Sequence, residues 1–241
     1  RFDSAKVDPN DPSSIVVQVT PTSFGGGTLQ LAFSETAEIK DTFGRKVALT
    51  TNSLGPEITV SGPLVVSLTN DEDDNDFSAN DLSLREAIRL ANEHAGSDTI
   101  QFAPNLGPIT LTNNALWLTD TVGTLSIFGP DNSTQVIQRS TTDTNRFRLF
   151  EINSGTSSTF RSLTLQNGST PGDGGAILNL GSLDIEQSTL QNNAADGQGG
   201  AIFNGGGTGQ TLELRRSTLS NNTANEGGAI ANDNAHGSST I

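Results

Sequence analysis

Gly174-Gly175-Ala176-Ile177-Leu178-Asn179 decides the fold, because it returns as Gly199-Gly200-Ala201-Ile202-Phe203-Asn204 and again as Gly227-Gly228-Ala229-Ile230-Ala231-Asn232. The offsets are 25 and 28 residues. Ser188-Thr189-Leu190-Gln191-Asn192-Asn193 keeps the same rhythm, recurring as Ser217-Thr218-Leu219-Ser220-Asn221-Asn222, with a degenerate copy at Leu163-Thr164-Leu165-Gln166-Asn167. A period of about 20–50 residues marks a solenoid, a propeller or an array. Each repeat divides into three short strands, one holding Gly-Gly-Ala-Ile, one Leu-Asp-Ile-Glu or Leu-Glu-Leu-Arg, and one Ser-Thr-Leu. The expected fold is all-β, a solenoid in which each repeat is one coil of three short strands.

Period-two alternation sends Leu183, Ile185, Leu212 and Leu214 inward. Ile177, Ile202 and Ile230 form a second internal column, and Leu165, Leu190 and Leu219 a third. The paired glycines Gly174-Gly175, Gly199-Gly200 and Gly227-Gly228 are expected at corners, where a narrow turn calls for positive φ. Asn179, Asn204 and Asn232 make one asparagine column and Asn167, Asn192 and Asn221 another. Asparagine tolerates left-handed backbone and hydrogen-bonds its neighbours, which accounts for these columns better than the sequons at Asn132, Asn167 and Asn221 do. Arg161, Glu186 and Arg215 fall in register as an outward charge ladder.

Upstream, short strands are expected at Thr99–Phe102, Ile109–Leu111, Leu116–Leu118, Leu125–Phe128, Gln135–Ile137 and Phe147–Ile152, joined by Gly, Asn, Asp and Pro turns. These coils are irregular, and regular ones begin near residue 158. Before them, Leu82 to His94 has the pattern of an amphipathic helix. Ser83-Leu84-Arg85-Glu86 is a capping box, in which Ser83 and Glu86 satisfy each other's backbone N–H groups. Leu84, Ala87, Ile88 and Ala91 share one apolar face, and Gly96 ends the helix. A helix here caps the open end of the solenoid, with Ser83, Leu84, Glu86 and Ile88 as the cap residues.

Between strand Leu64–Leu68 and that helix lies Asn70-Asp71-Glu72-Asp73-Asp74-Asn75-Asp76. Hard cations take oxygen ligands at such spacing. Asp71, Asp73 and Asn75 fit the first three positions of an EF-hand loop, whereas Asp76 replaces its glycine and Leu82 its bidentate glutamate. Asp71, Asp73, Asp74, Asn75 and Asp76 are thus the candidate calcium ligands, against the alternative of a solvated acidic loop. Nothing else in the chain requires a cofactor. Residues 1–62 are strand-rich, with candidates at Ile15–Val19, Thr28–Phe33, Lys46–Thr50 and Ile58–Val60 and turns at Gly25-Gly26-Gly27 and Asp41–Gly44. They suit the C-terminal part of a β-sandwich module, or strands that pair with a partner outside this sequence. Residues 63–97 carry the strand, acidic loop and capping helix, and 98–241 the coils.

Asn70 through Phe102, centred on Leu82-Ser83-Leu84-Arg85-Glu86-Ala87-Ile88, resembles the CSLREA-type domain that precedes β-helical repeats in bacterial surface proteins. Leu82 stands where that motif has cysteine, so apolar packing replaces any disulfide there. The Gly-Gly-Ala-Ile and Asn-Asn segments resemble the repeats of polymorphic outer membrane proteins and related exoproteins. The resemblance spans about residues 64–241 and implies a right-handed parallel β-helix at the cell surface, with no single shared activity.

The chain has 27 acidic and 13 basic residues, a net charge of −14. That balance disfavours nucleic acid, whose phosphates need Lys and Arg, and anionic membrane surfaces. No apolar run reaches the roughly 18 residues of a membrane helix. The absence of cysteine removes disulfides, zinc thiolates and thiol nucleophiles together. Without methionine the chain does not start at an initiator, and Ser238–Ile241 has the pattern of a new strand, so an excerpt of a longer protein is expected.

The enzymatic alternative is a polysaccharide lyase or glycoside hydrolase, which needs two carboxylates at a defined separation. Asp173, Asp184, Glu186, Asp196, Glu213 and Glu226 are the available acids, with Asp184 and Glu213 stacked side by side. No matching basic partner joins them beyond the ladder residues. His94 lies at a helix end and His236 in a terminal loop. No catalytic residue is assigned. Trp117, the one Trp in a chain without Tyr, is expected to pack among the irregular coils rather than serve as an exposed sugar platform. The expected function is a non-enzymatic, secreted or cell-surface β-helical protein with an adhesive or structural role. Its expected partners are further copies joined end to end, or surface glycans on a host or neighbouring cell.

Overall fold

The computed structural model describes residues 2–8, 11–19, 39–40, 46–52, 55–61, 63–77, 80–93, 96–142, 144–205 and 210–233. The chain forms two compact units, residues 1–64 with 77–79, and residues 65–76 with 80–241. In the first, β1 (Phe2–Asp8) pairs antiparallel with β2 (Asp11–Val19), and β3 (Ile39–Lys40), β4 (Lys46–Asn52) and β5 (Gly55–Ser61) form an antiparallel meander. β1 was not among the expected strands. The expected elements at Gly25–Gly27, Thr28–Phe33 and Asp41–Gly44 lie outside the described residues.

The second unit is a parallel β-helix of five coils. β6 (Leu64–Val66) and α1 (Leu84–Glu93) precede it. The coils are β7 (Asp98–Phe102), β8 (Ile109–Leu111) and β9 (Leu116–Leu118); then β10 (Thr124–Phe128), β11 (Gln135–Arg139) and β12 (Phe150–Ile152); then β13 (Ser157–Arg161), β14 (Leu163–Gln166), β15 (Ser169–Thr170) and β16 (Ile177–Asn179); then β17 (Ser182–Glu186), β18 (Thr189–Gln191), β19 (Ala194–Ala195) and β20 (Ile202–Asn204); and last β21 (Thr211–Arg215), β22 (Thr218–Ser220) and β23 (Ile230–Asn232). They stack into three main sheets, ordered β21-β17-β13-β10-β7-β6, β22-β18-β14-β11-β8 and β23-β20-β16-β12-β9. The early coils, expected to be irregular, are in register with the later ones.

Stacking explains the alternation. Ile100, Ile127, Phe160 and Ile185 are register partners and fully buried. Leu165 and Leu190, and Ile177 and Ile202, are the equivalent interior positions of the other two sheets. Each such side chain contributes about 1.5–3 kcal/mol by leaving water. Leu214, Leu219 and Ile230 sit at the expected inward positions but are half-buried, because among the described residues no further coil covers them.

Each regular coil turns at three left-handed residues. In the fourth coil they are Gln187 (φ 50°), Asn192 (φ 56°) and Gly199 (φ 67°), matched by Ser162, Asn167 and Gly174 before and by Arg216, Asn221 and Gly227 after. The Asn167, Asn192 and Asn221 column is thus a corner column, as expected. In the first two pairs the second glycine has a different job. A Cβ on Gly175 would lie 2.2 Å from the Gly200 carbonyl oxygen, and one on Gly200 2.0 Å from that of Gly228. These glycines let consecutive coils approach backbone to backbone.

Asn179, Asn204 and Asn232 correct the corner assignment. They lie in strands, and Asn179 and Asn204 are fully buried. Their amides form a ladder, Asn179 Nδ2 donating to Asn204 Oδ1 (2.6 Å) and Asn204 Nδ2 to Asn232 Oδ1 (2.7 Å). Buried amides survive only with such partners.

Gly200 and Gly228 occupy the same place in the motif, yet a Cβ on Gly228 would meet nothing closer than the Asn222 carbonyl oxygen at 3.7 Å. Gly200→Ala should therefore cost about 1–3 kcal/mol through overpacking, and Gly228→Ala no more than about 0.5 kcal/mol. Equal losses in thermal denaturation would show that coil-to-coil approach does not constrain these glycines.

Candidate functional site

Two regions collect polar side chains with defined geometry: the acidic loop under α1, and the outward faces of the coils. The loop is organised by Glu86. Ser83 N–H donates to Glu86 Oε2 (3.1 Å) while Glu86 N–H donates to Ser83 Oγ (3.1 Å), which is the expected capping box. Ser83 Oγ–H also donates to the Glu72 carbonyl (2.8 Å). Glu86 Oε1 accepts from the Asp74 and Asn75 N–H groups, each at 3.1 Å. The cap residue thus also ties down the acidic loop, a role sequence spacing did not announce. Burial pushes the Glu86 carboxyl above its usual range, against the lowering effect of these donors. Leu82, Leu84, Ala87, Ile88 and Ala91 are buried as expected. Gly96 has positive φ (130°), and His94 and His236 lie outside the described residues.

The five candidate calcium ligands do not converge. Asp71 is buried and faces Arg85, with Nε–Oδ1 at 2.7 Å and Nη2–Oδ2 at 3.0 Å. Its Oδ2 also accepts from Thr112 N–H (2.8 Å) and Asn113 N–H (2.9 Å), which fastens the loop to the first coil. Asp73 pairs with Arg89 at 2.9 Å, and Asn75 Oδ1 accepts from Arg89 Nη1 at 2.8 Å. Asp74 Oδ1 accepts from Asp76 N–H (2.8 Å). The carboxylates that do gather are Glu72, Asp74 and Asp81, whose ligand atoms lie within 4.8 Å of one another. Partial burial, then repulsion from Asp76, Glu72 and Asp74, raises the Asp81 carboxyl above its ordinary value. Glu72 and Asp81 were missed because the grouping depends on how the loop folds back over the helix start.

On the coils, each acid considered for catalysis has a structural partner. Arg215 bridges Asp184 (2.9 Å) and Glu213 (2.7 Å), the stacked pair. Arg216 pairs with Glu186. Asp196 receives two bonds from Arg146, at 2.6 and 2.8 Å, which lower its carboxyl below the ordinary range. Asp173 Oδ1 accepts from Gln198 N–H (2.7 Å), and Glu226 from Gln198 Nε2 (2.8 Å). Arg161, Glu186 and Arg215 are in register, but the ladder's pairing differs from expectation. Arg161 lies 3.8 Å from Asp131 and stacks 4.5 Å above the Phe128 ring, while the other two pair with the residues just named.

Two further amide columns had not been anticipated, one half-buried and one with Asn193 fully buried. Gln191 Nε2 donates to Gln166 Oε1 (2.8 Å) and Gln166 Nε2 to Gln138 Oε1 (2.7 Å). Asn193 Nδ2 donates to Asn222 Oδ1 (3.0 Å), and Asn193 Oδ1 accepts from Gly168 N–H (2.9 Å). The doublets Asn192-Asn193 and Asn221-Asn222 carried that signal: the first residue makes the corner, the second the ladder.

Trp117 overturns its expected core role. It is 53% exposed, while Leu116 and Leu118 on either side are buried. Both leucines take the inward face of β9, so alternation leaves Trp117 to solvent.

Residues 187–205 and 216–233 match the Chlamydia polymorphic membrane protein repeat. The fourth and fifth coils carry repeats of that type. Each matched stretch runs from a left-handed corner, Gln187 or Arg216, through the Gly-Gly-Ala-Ile strand. No curated protein and no solved structure shows a match.

Asp71→Ala should cost about 3–5 kcal/mol, because it leaves Arg85 without its buried partner. Asp73→Ala should cost only about 0–1 kcal/mol, since its pair with Arg89 is solvent-exposed. Chemical denaturation of both variants reads the difference, and a tolerated Asp71→Ala would remove the anchor role.

Proposed function

We propose that this chain is part of a non-enzymatic β-helical protein of a bacterial cell surface or secreted layer, with an adhesive or structural role. The observation that supports it most is the match of the two most regular coils to the repeat of a membrane protein family. The accounting of carboxylates points the same way. A glycosidase keeps one acid protonated and one ionised, poised across a bond. Here Asp184 and Glu213 share one arginine, and Asp173, Glu186, Asp196 and Glu226 are engaged with neighbouring coils. The partners that suit this role are a second copy of the chain and the glycans of an opposing surface.

Antibody raised against the chain should label intact cells of its source, and brief protease treatment of those cells should abolish the label. Labelling only after lysis would count against surface display.

For calcium, we propose Glu72, Asp74 and Asp81 as ligands, keeping only Asp74 of the loop residues first considered. A carboxyl raised on folding stabilises the fold below its ordinary pKa, and that contribution is lost as pH rises through the raised value. Asp81 should thus weaken the fold as it ionises, and a bound cation should offset this. Millimolar calcium should raise the melting temperature at neutral pH but not at pH near 4, and Asp81→Asn should remove the response. A calcium shift unchanged in Asp81→Asn would dismiss this cluster.

A further inference from the structure

We infer that the outward column of the third sheet, headed by Trp117, binds an unbranched neutral polysaccharide lying along the solenoid axis. This rests on the surface reading and names the partner class. Trp117, Glu151, Leu178, Phe203 and Ala231 are consecutive register partners through β9, β12, β16, β20 and β23. The chain's single Trp is thus placed in solvent, 53% exposed, at the first coil of a column in which Glu151 and Leu178 are half-buried and Phe203, on the fourth coil, is buried, so the accessible row is Trp117, Glu151 and Leu178.

An indole on a flat strand offers one broad face, an amphipathic surface with a low entropy cost of ordering. The apolar face of a pyranose ring is the matching shape. Successive coils are spaced by about 4.8 Å, comparable with one pyranose unit, so a linear chain along the column meets Trp117, Glu151 and Leu178 on three consecutive coils. Glu151, the next position after Trp117, supplies a polar group. Its Oε2 accepts from Arg148 Nη1 (2.8 Å), and Arg148 is fixed in turn by the Asp173 carbonyl at 3.0–3.2 Å. The remaining Glu151 oxygen is an acceptor for a sugar hydroxyl. Asn92 holds the backbone on either side, donating from Nδ2 to the Trp117 carbonyl (2.8 Å) and accepting from Thr119 N–H (2.9 Å). The platform is therefore set on a rigid edge between the cap and the coil.

The net charge of −14 selects against acidic polysaccharides by long-range repulsion. A neutral glycan is the class that combines ring stacking with hydroxyl donors and no charge penalty.

Trp117 is its own reporter, since with no other Trp and no Tyr its emission stands alone. The test titrates the chain with neutral linear hexasaccharides of glucose, mannose, xylose and N-acetylglucosamine, with polygalacturonate as the acidic comparison. At least one neutral series should give a saturable blue shift in the millimolar range or below. Trp117→Ala, read by affinity electrophoresis in the same neutral polymer, should lose about tenfold or more in affinity, the scale of an aromatic anchor. Its melting temperature should be unchanged, because the ring is exposed. Glu151→Gln, which keeps an acceptor but loses the ion pair, should weaken binding by less than Trp117→Ala does. Full affinity in Trp117→Ala, no shift with any neutral sugar, or stronger binding of polygalacturonate would each overturn the inference. A chain displayed on cells yet silent to sugars would remove this site and leave the surface role standing. Sugar binding by a chain found only inside cells would do the reverse.

Discussion

Successive coils hydrogen-bond to one another in parallel and in register, Ser157–Arg161 on Ser182–Glu186 and Ser182–Glu186 on Thr211–Arg215. Backbone pairing at a fixed spacing copies each position onto the coil above. Whatever side chain stands at an inward position must then stack on its own equivalent. Ile177 on Ile202 and Leu165 on Leu190 satisfy this with apolar contact. Asn179 on Asn204 satisfies it with an amide bond in the interior. No coil buries these faces alone, so stability resides in neighbours rather than in any single coil.

The same constraint explains the chain's glycines and its strained corners. Gly175 and Gly200 stand where the next coil's carbonyl occupies the space of a Cβ. Ser162, Gln187 and Arg216 hold left-handed backbone without being Gly or Asn, a conformation that costs an L-residue about 1–2 kcal/mol. The pairing on both sides enforces it. At the other end, Asp71 and Arg85 fasten the cap to the first coil, and Glu86 fastens the loop to the helix. The open edge of the solenoid is thus covered by a polar lock over an apolar helix face.

The proposed function rests on what the ladders leave outside. Paired acids and arginines on the first sheet neutralise one another across coils, which keeps an acidic chain's stacked strands from repelling. The third sheet instead presents Trp117 and the column behind it.

The sequence by itself determined the solenoid. Its 25- and 28-residue offsets, its period-two strands and its Ser83–Glu86 box are local or periodic signals, and all three appear as read. Inward and outward positions follow from alternation alone, save at Trp117, expected to pack among the coils although its two leucine neighbours already claim the inward face. Only the tertiary structure decided which partners the polar groups take. Asp71 meets Arg85 and Thr112 across 14 and 41 residues, Arg146 meets Asp196 across 50, and Glu72 and Asp81 gather with Asp74 where Asp71, Asp73, Asp74, Asn75 and Asp76 had been expected. A charged side chain is long, and any opposite charge or backbone N–H within reach satisfies it. Its partner is therefore fixed by the path of the loops, which no periodicity encodes.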